Sequence, residues 1–159
     1  MPYPAGQDLF CILYHSHELL PDEPGLAAVE LGRIFASAQR NNAPAGVTGV
    51  LMYGHGSFVQ VLEGPQGPVQ AIFDAILADP RHEDLTVLHT GRVARRAFAE
   101  WSMAPIRDWD ASHRVCAVMD LLDRRAGPGP SSSSLLNFLL GTMVRRAGRD
   151  WTPAPAGAR

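Results

Sequence analysis

The stretch that decides the fold of this chain is SFVQVLEG, residues Ser57–Gly64. It predicts a short β-strand, because it is rich in β-branched and aromatic residues and ends at a Gly-Pro pair. Alternation places Phe58, Gln60 and Leu62 on one face and the two valines on the other. Both faces are therefore mainly apolar, which is typical of a central strand covered on both sides.

Gln60 is the polar exception in this strand. Its amide has two N–H donors and one carbonyl acceptor, and burying them unpaired costs about 1–3 kcal/mol for each lost partner. A backbone carbonyl or a buried water would supply such partners. The alternative is a polar ligand that lies over this face of the sheet and binds Gln60.

The length and composition indicate one domain with an appendage. The chain has 159 residues, of which 46% are hydrophobic, and a formal net charge of −2 that argues against nucleic-acid binding. No run suits a membrane-spanning helix or a signal peptide, so a cytoplasmic location is expected. Cys11 and Cys116 are predicted to be reduced, packed thiols. No metal site is predicted, although His15 and His17 share a strand face.

Hydrophobic periodicity predicts seven elements in the order β-α-β-β-α-β-β. The predicted strands are Leu9–Ser16, Val47–Tyr53, Ser57–Gly64, Asp84–His89 and Arg96–Pro105, and the predicted helices span about 25–41 and 67–78. This order indicates an α+β, ferredoxin-like domain over residues 8–106, with both helices on one face of the sheet. The groove between the two helices is the expected ligand site.

The character of the chain changes after this domain. Residues 112–125 and 135–146 are amphipathic, which predicts a C-terminal helical extension over residues 110–148. We expect these helices, or a partner, to cover the other face of the sheet. The Pro/Ala/Gly-rich residues 149–159 are predicted to be a disordered tail.

From Leu9 to Pro105 the chain resembles the BLUF domain, a flavin-binding sensor of blue light. Single pieces of the match are weak, but together, in this order and spacing, they are specific. The densest pieces are QRNN at Gln39–Asn42, VTGVLMY at Val47–Tyr53, SFVQVLEG at Ser57–Gly64, DPRH at Asp79–His82 and WSM at Trp101–Met103.

The resemblance implies a relay of hydrogen bonds from Tyr14 through Gln60 to the ring of FAD. Blue light is then expected to drive proton-coupled electron transfer from Tyr14, after which Gln60 rotates or tautomerises. Asn42, with Asn41 beside it, is expected to anchor the polar edge of the flavin. The alternatives without a ligand are that Tyr14 is an ordinary core residue and that Asn41 and Asn42 only terminate the helix.

The resemblance also implies a signal relay at Trp101 and Met103, although either residue is equally consistent with simple core packing. Arg81 and His82 are expected near the polar parts of the cofactor. Three apolar side chains are expected to wall the flavin ring: Ile34, Phe58 and Ile76.

One departure from the family concerns Ala75 on the second helix, where some members carry a basic residue directed towards the cofactor phosphates. Its absence is expected to weaken FAD binding or to relax the choice among FAD, FMN and riboflavin.

Three functions compete at this stage. The leading one is a photoreceptor rather than an enzyme, with output through protein–protein interaction, as a homo-oligomer or with a partner bound by the C-terminal helices. A flavin-free interaction module of ferredoxin-like fold is the alternative. An acylphosphatase-like hydrolase is disfavoured, because that chemistry needs an anion-binding loop with an Arg after the first strand. Here the loop reads HELLPDE at residues 17–23, which is acidic.

Overall fold

A computed structural model describes residues 8–54, 56–100 and 102–107 of the chain. The elements are β1 (Leu9–Glu18), α1 (Pro24–Asn42), β2 (Thr48–Gly54), β3 (Ser57–Pro65), α2 (Gln66–Leu77), β4 (His82–Val93) and β5 (Ala104–Arg107). Their order is the predicted one. The predicted helical extension, the predicted tail and Cys116 lie outside the described residues.

The five strands form one sheet in the order β4-β1-β3-β2-β5. The first four strands are antiparallel to their neighbours, and β5 pairs in parallel with β2. This is the ferredoxin-like arrangement that the sequence predicts. The strand Ser57–Pro65 lies in the centre, as its apolar faces indicate, and it pairs with both β1 and β2.

The main core lies between the sheet and the two helices. Its buried members are Ile12, Tyr14, Val47, Leu51, Phe58, Leu62, Val69 and Met103. The opposite face of the sheet is buried as well, since Leu13 and Val61 are fully inaccessible. Cys11 on that face is a free thiol, and burial, with a further contribution from the charge of Glu63, raises its pKa to about 12.

Strand β4 is longer than the predicted Asp84–His89 and runs from His82 to Val93. Its register against β1 shifts twice, between Leu13 and Tyr14 and between His15 and His17. Asp84, which has a positive φ of 50°, lies at the second of these shifts. Such bulges break the alternation of side chains between the faces. The period-two pattern therefore covers only part of the strand.

The predicted fifth strand exists, but its predicted bounds, Arg96–Pro105, are wrong. Residues 94–100, 102 and 103 lie outside any strand, in the connection from β4, at one edge of the sheet, to β5 at the opposite edge (below, the loop 94–103), and β5 begins at Ala104. Met103 therefore precedes β5, and its predicted alternation with Trp101 along a strand fails. The physical reason is that a chain crossing the whole width of the sheet cannot pair along a strand on the way. Trp101 itself lies outside the described residues.

Within the described residues, no helix is long and apolar enough to cross a membrane.

A substitution at Gly49 tests the packing of β2 against β3. An added Cβ would lie 1.9 Å from the carbonyl oxygen of Val61, which belongs to the backbone and cannot move without disturbing the sheet. Gly49→Ala is therefore expected to lower the free energy of unfolding by about 1–3 kcal/mol or more in urea titrations. Gly32→Ala in α1 is the matched control, because nothing lies within 4 Å of its added Cβ.

The control is expected to raise the free energy of unfolding by about 0.5–1 kcal/mol, since alanine favours a helix interior over glycine. Equal stabilities of Gly49→Ala and the unchanged protein would contradict the close approach of β2 and β3.

Candidate functional site

A cavity of about 170 Å³ lies between α1 and α2, above the helix-facing side of β1, β2 and β3. Its walls are mainly apolar and include the three residues predicted to hold a flat ring: Ile34, Phe58 and Ile76. Ala38, Leu51, Ile72 and Ala75 complete the apolar lining. The polar lining comes from Tyr14, Ser37, Asn41, Asn42, Gln60, Asp79, Arg81 and His82. The groove between the helices is thus the cavity that the sequence predicts.

Tyr14, Gln60 and Met103 form a chain of contacts at the base of this cavity. The Tyr14 hydroxyl donates a hydrogen bond to Gln60 Oε1, and Gln60 Nε2 donates to the Met103 Sδ at 3.3 Å. Tyr14 and Gln60 lie directly opposite each other in the β1–β3 register. Met103 enters from the far edge of the sheet, immediately before β5. All three side chains are buried.

The buried amide of Gln60 is hydrogen-bonded to two side chains. Its carbonyl oxygen accepts from a phenol and one of its N–H groups donates to a thioether, so side chains rather than the backbone satisfy it. An amide nitrogen carries two N–H groups. Gln60 also lines the cavity, so its amide borders the space between the helices.

Tyr14 is held in its neutral form. Burial of the phenol raises its pKa well above the ordinary value, and the negative charge of Asp79 raises it further. The ring centroids of Phe73 and His82 lie 5.8 Å and 6.3 Å from that of Tyr14. The hydroxyl therefore keeps its proton at neutral pH and is fixed as the donor to Gln60.

Asn42 is both the last residue of α1 and part of the cavity lining. Its side chain is 1% exposed, and Nδ2 donates to the carbonyl oxygen of Ser102 at 3.3 Å. One turn earlier, Gln39 Nε2 donates to the carbonyl oxygen of Met103 at 3.2 Å. The end of α1 therefore holds the chain next to Met103. Asn41 lies on the exposed rim and donates to Ser37 Oγ at 3.4 Å.

Arg81 lies at the polar part of the lining and binds Asp79 with two nitrogens. Its Nε lies 2.9 Å from Asp79 Oδ1, and its Nη2 lies 2.6 Å from Oδ2. These hydrogen bonds from Arg81 hold the pKa of Asp79 below its usual range, against the opposing effect of burial. Glu30 Oε2 on α1 lies 3.9 Å from Arg81 Nη1. The guanidinium therefore has acidic neighbours on both sides.

His82 joins β1 to the end of α2. Its Nε2 lies 2.6 Å from the carbonyl oxygen of Ile76, and its Nδ1 lies 2.8 Å from Ser16 Oγ. A carbonyl oxygen only accepts, so the proton of the imidazole lies on Nε2. This bridge holds α2 over the strand that carries Tyr14.

Sequence reasoning missed two polar residues of the lining, Ser37 and Asp79. Ser37 lies three residues after Ile34 and four before Asn41, so helical spacing alone would have found it. Asp79 was named only as part of the DPRH piece of the family match, and no pattern in the sequence shows that it binds Arg81. Among the residues that the structure describes, no group of three His, Cys, Asp or Glu side chains suits a metal ion.

The family model described as sensors of blue-light using FAD matches residues 9–104. Two relatives are similar over much of this chain. The photoactivated adenylate cyclase subunit beta of Euglena longa is 33% identical over 125 residues, which cover 76% of this chain and 14% of that protein. The blue light- and temperature-regulated antirepressor BluF of Escherichia coli is 36% identical over 95 residues, which cover 60% of this chain and 23% of that protein.

A solved structure of Klebsiella pneumoniae BlrP1 with FMN and cyclic diGMP is also similar, with a TM-score of 0.58 and 29% identity. The alignment covers 92% of this chain and 37% of that one. The chain therefore spans a small part of the length of these relatives. With its fold, its cavity and the match over residues 9–104, this chain belongs to the BLUF family of flavin-binding sensors of blue light.

Proposed function

We propose that this chain holds a flavin non-covalently between α1 and α2 and converts blue light into a change in the hydrogen bonds of Gln60. The observation that supports this proposal is the chain of contacts from Tyr14 through Gln60 to Met103 at the base of the cavity. A core that serves only packing has no need for a phenol, an amide and a thioether joined in one chain of hydrogen bonds. A photoreceptor needs a hydrogen-bond donor and a group that can exchange its partners.

The residues of the cavity fit a flavin ring. The apolar walls suit the faces of a flat aromatic system, and the amides of Gln60 and Asn42 offer donors and an acceptor to its polar edge. The volume of about 170 Å³ is smaller than the roughly 300–1,000 Å³ of sites that enclose a whole drug-sized ligand. The cavity would therefore hold the ring system rather than the whole cofactor.

FAD is the proposed cofactor, and FMN and riboflavin are the alternatives. Ala75 lines the cavity on α2 and offers no charge to a phosphate group. The guanidinium of Arg81 is shared with Asp79 and Glu30, which reduces its attraction for a second anion. The site therefore recognises the ring more strongly than the phosphates.

Tyr14 and Gln60 carry the proposed photochemistry. A bound flavin would supply the absorption of blue light and an excited state that accepts an electron. Tyr14 would donate that electron together with its hydroxyl proton, which would leave along the hydrogen bond to Gln60 Oε1. Both would then return to Tyr14, so that no net chemistry remains, and Gln60 would be left rotated or tautomerised with changed hydrogen bonds.

Met103 distinguishes the two states of Gln60. A thioether sulfur accepts a weak hydrogen bond from an N–H group but cannot donate one to a carbonyl oxygen. Rotation of the amide would bring Oε1 to the position of Nε2, so the 3.3 Å contact with Sδ would be lost. Met103 then moves, and β5, which begins at the next residue and pairs with β2, moves with it.

The output of this movement is proposed to be protein–protein interaction. The chain after β5 leads to residues 110–148, which we propose to mediate a homo-oligomer or to bind a partner protein. The cyclase and antirepressor relatives support a sensor that acts through other domains or proteins, since the matched segments are small parts of them. A coupling of about 1–3 kcal/mol is enough to change association several-fold.

Cofactor content is the first test. The protein is expected to purify yellow, with absorption bands in the blue and near ultraviolet. Denaturation is expected to release intact flavin, because binding is non-covalent, and chromatography of the released flavin then separates FAD, FMN and riboflavin. A colourless protein that takes up none of the three would contradict the photoreceptor and leave the flavin-free interaction module.

The second test removes the two switching groups. Tyr14→Phe keeps the ring but lacks the donor, and Gln60→Leu keeps similar volume but lacks the amide. Both variants are expected to bind flavin and to lose the reversible red shift under blue light, measured by absorption spectroscopy. Tyr53→Phe is the control, because Tyr53 packs against Phe35 outside the cavity lining and its loss should leave the shift intact. A normal red shift in either switch variant would refute the mechanism.

The third test concerns the output. Met103→Leu keeps an apolar side chain of similar size but removes the sulfur acceptor, so the red shift is expected to remain while the structural response is lost. Hydrogen exchange and size-exclusion chromatography in the dark and in the light measure that response. Met52→Leu on the other face of β2 is the control and should respond normally. A variant Met103→Leu that responds like the unchanged protein shows that another residue carries the signal.

A further inference from the structure

A buried carboxylate lies on the face of the sheet opposite the cavity, and the proposed photochemistry does not use it. Glu63, near the end of β3, is 2% exposed. Its Oε1 accepts hydrogen bonds from Thr48 Oγ1 at 3.1 Å and from the backbone N–H of Phe98 at 2.6 Å. Its Oε2 accepts from the backbone N–H of Ala97 at 2.8 Å. A side chain of the central strand thus binds the backbone of the loop 94–103.

Arg96 strengthens the same attachment. Its Nη1 donates to Thr48 Oγ1 at 2.9 Å and to the carbonyl oxygen of Glu63 at 3.2 Å, and its Nη2 donates to that of Gly46 at 2.8 Å. The Thr48 hydroxyl therefore accepts from Arg96 and donates to Glu63. The three consecutive residues 96–98 are all held against β2 and β3 by this one cluster.

The hydrogen-bond geometry favours the ionised carboxylate, because both oxygens accept from donors of Thr48, Ala97 and Phe98. Burial raises the pKa of Glu63 above its ordinary value, and the Ala97 and Phe98 amides, the Thr48 hydroxyl and the charge of Arg96 offset only part of that rise. Hydrogen bonds to an ionised acceptor are about twice as strong as those between neutral groups. A neutral amide in place of the carboxylate would present an N–H group to one of these donors and lose the bond.

The attached loop ends at Met103. Four residues separate Phe98, which is 1% exposed, from Met103, whose thioether contacts Gln60. The far end of this span is held by the end of α1, through Asn42 and Gln39. The Glu63 cluster and α1 are therefore two separate anchors, and the segment between them determines where Sδ lies.

We propose that Glu63 is a positioning residue for the light response, because its carboxylate anchors the loop 94–103 and thereby places the Met103 thioether against Gln60. This inference deepens the proposed photoreceptor function and rests on it. Glu63 touches neither the cavity nor Gln60. Its effect on the photocycle passes through the loop.

The first experiment measures the position of Met103 in the dark, with no photochemistry involved. In FAD-loaded protein with isotope-labelled methionine methyl groups, Glu63→Gln is expected to shift or broaden the Met103 methyl resonance. The Met52 resonance is expected to stay, because Met52 lies in β2 and not in the loop. Glu100→Gln makes the same change at an exposed position of the same loop and should leave both resonances unchanged.

The second experiment measures the recovery of the dark spectrum after illumination. A less restrained Met103 lets Gln60 return sooner, so Glu63→Gln is expected to accelerate recovery about threefold or more, with flavin content and red shift retained. In a Met103→Leu background the same substitution is expected to have no further effect. A merely structural role would change both backgrounds equally, so the double-mutant cycle separates the two explanations.

An unchanged Met103 resonance in Glu63→Gln, or equal acceleration in both backgrounds, overturns the inference. If Glu63→Gln does not fold, Thr48→Val decides, because it keeps the carboxylate and removes only one of its donors. A smaller shift or broadening of the Met103 resonance in Thr48→Val supports the inference. An unchanged Met103 resonance in this variant overturns it. A protein that binds flavin but shows no light-induced shift refutes the proposed function, whereas the dark resonances still decide the role of Glu63.

Discussion

The structure of this site depends on the antiparallel pairing of β1 with β3, which places Tyr14 directly opposite Gln60. The two buried side chains satisfy each other, since the phenol needs an acceptor and the amide oxygen needs a donor. A shift of the register by one residue would turn one side chain to the other face of the sheet and break the hydrogen bond. The strong burial of both faces of β3 opposes such a shift, because it would exchange two sets of core contacts at once.

The cavity also depends on this pairing, because it lies over the paired strands where α1 and α2 leave the sheet uncovered. His82 ties the end of α2 to Ser16 of β1, and Asn42 ties the end of α1 to the chain next to Met103. The lining therefore has a supporting contact at the end of each helix. Both helix ends that border the cavity are therefore fixed by side-chain hydrogen bonds.

Polar groups at buried positions mark the parts of this molecule that pattern and propensity do not explain. Gln60 on one face of β3 and Glu63 on the other both bind residues of the segment 97–103. The contact of Gln60 is a weak hydrogen bond to a thioether, whereas Glu63 accepts hydrogen bonds from several donors. The proposed sensor would need this difference, because it would exchange the contact of Gln60 while the contacts of Glu63 stay in place.

The sequence by itself determined the element order, the central position of Ser57–Pro65, the helix pair and the groove between the helices, because these follow from local periodicity and from side-chain alternation. Most of the polar lining was expected only from the resemblance to a known family, which implied Tyr14, Gln60, Asn41, Asn42, Arg81 and His82. Only the tertiary structure decided that residues 94–103 are a loop, that Met103 contacts Gln60, and that Glu63 binds Ala97 and Phe98. These contacts join residues more than 30 positions apart across several strands. Local patterns carry no information on such contacts, since they arise only when the two edges of the sheet are joined.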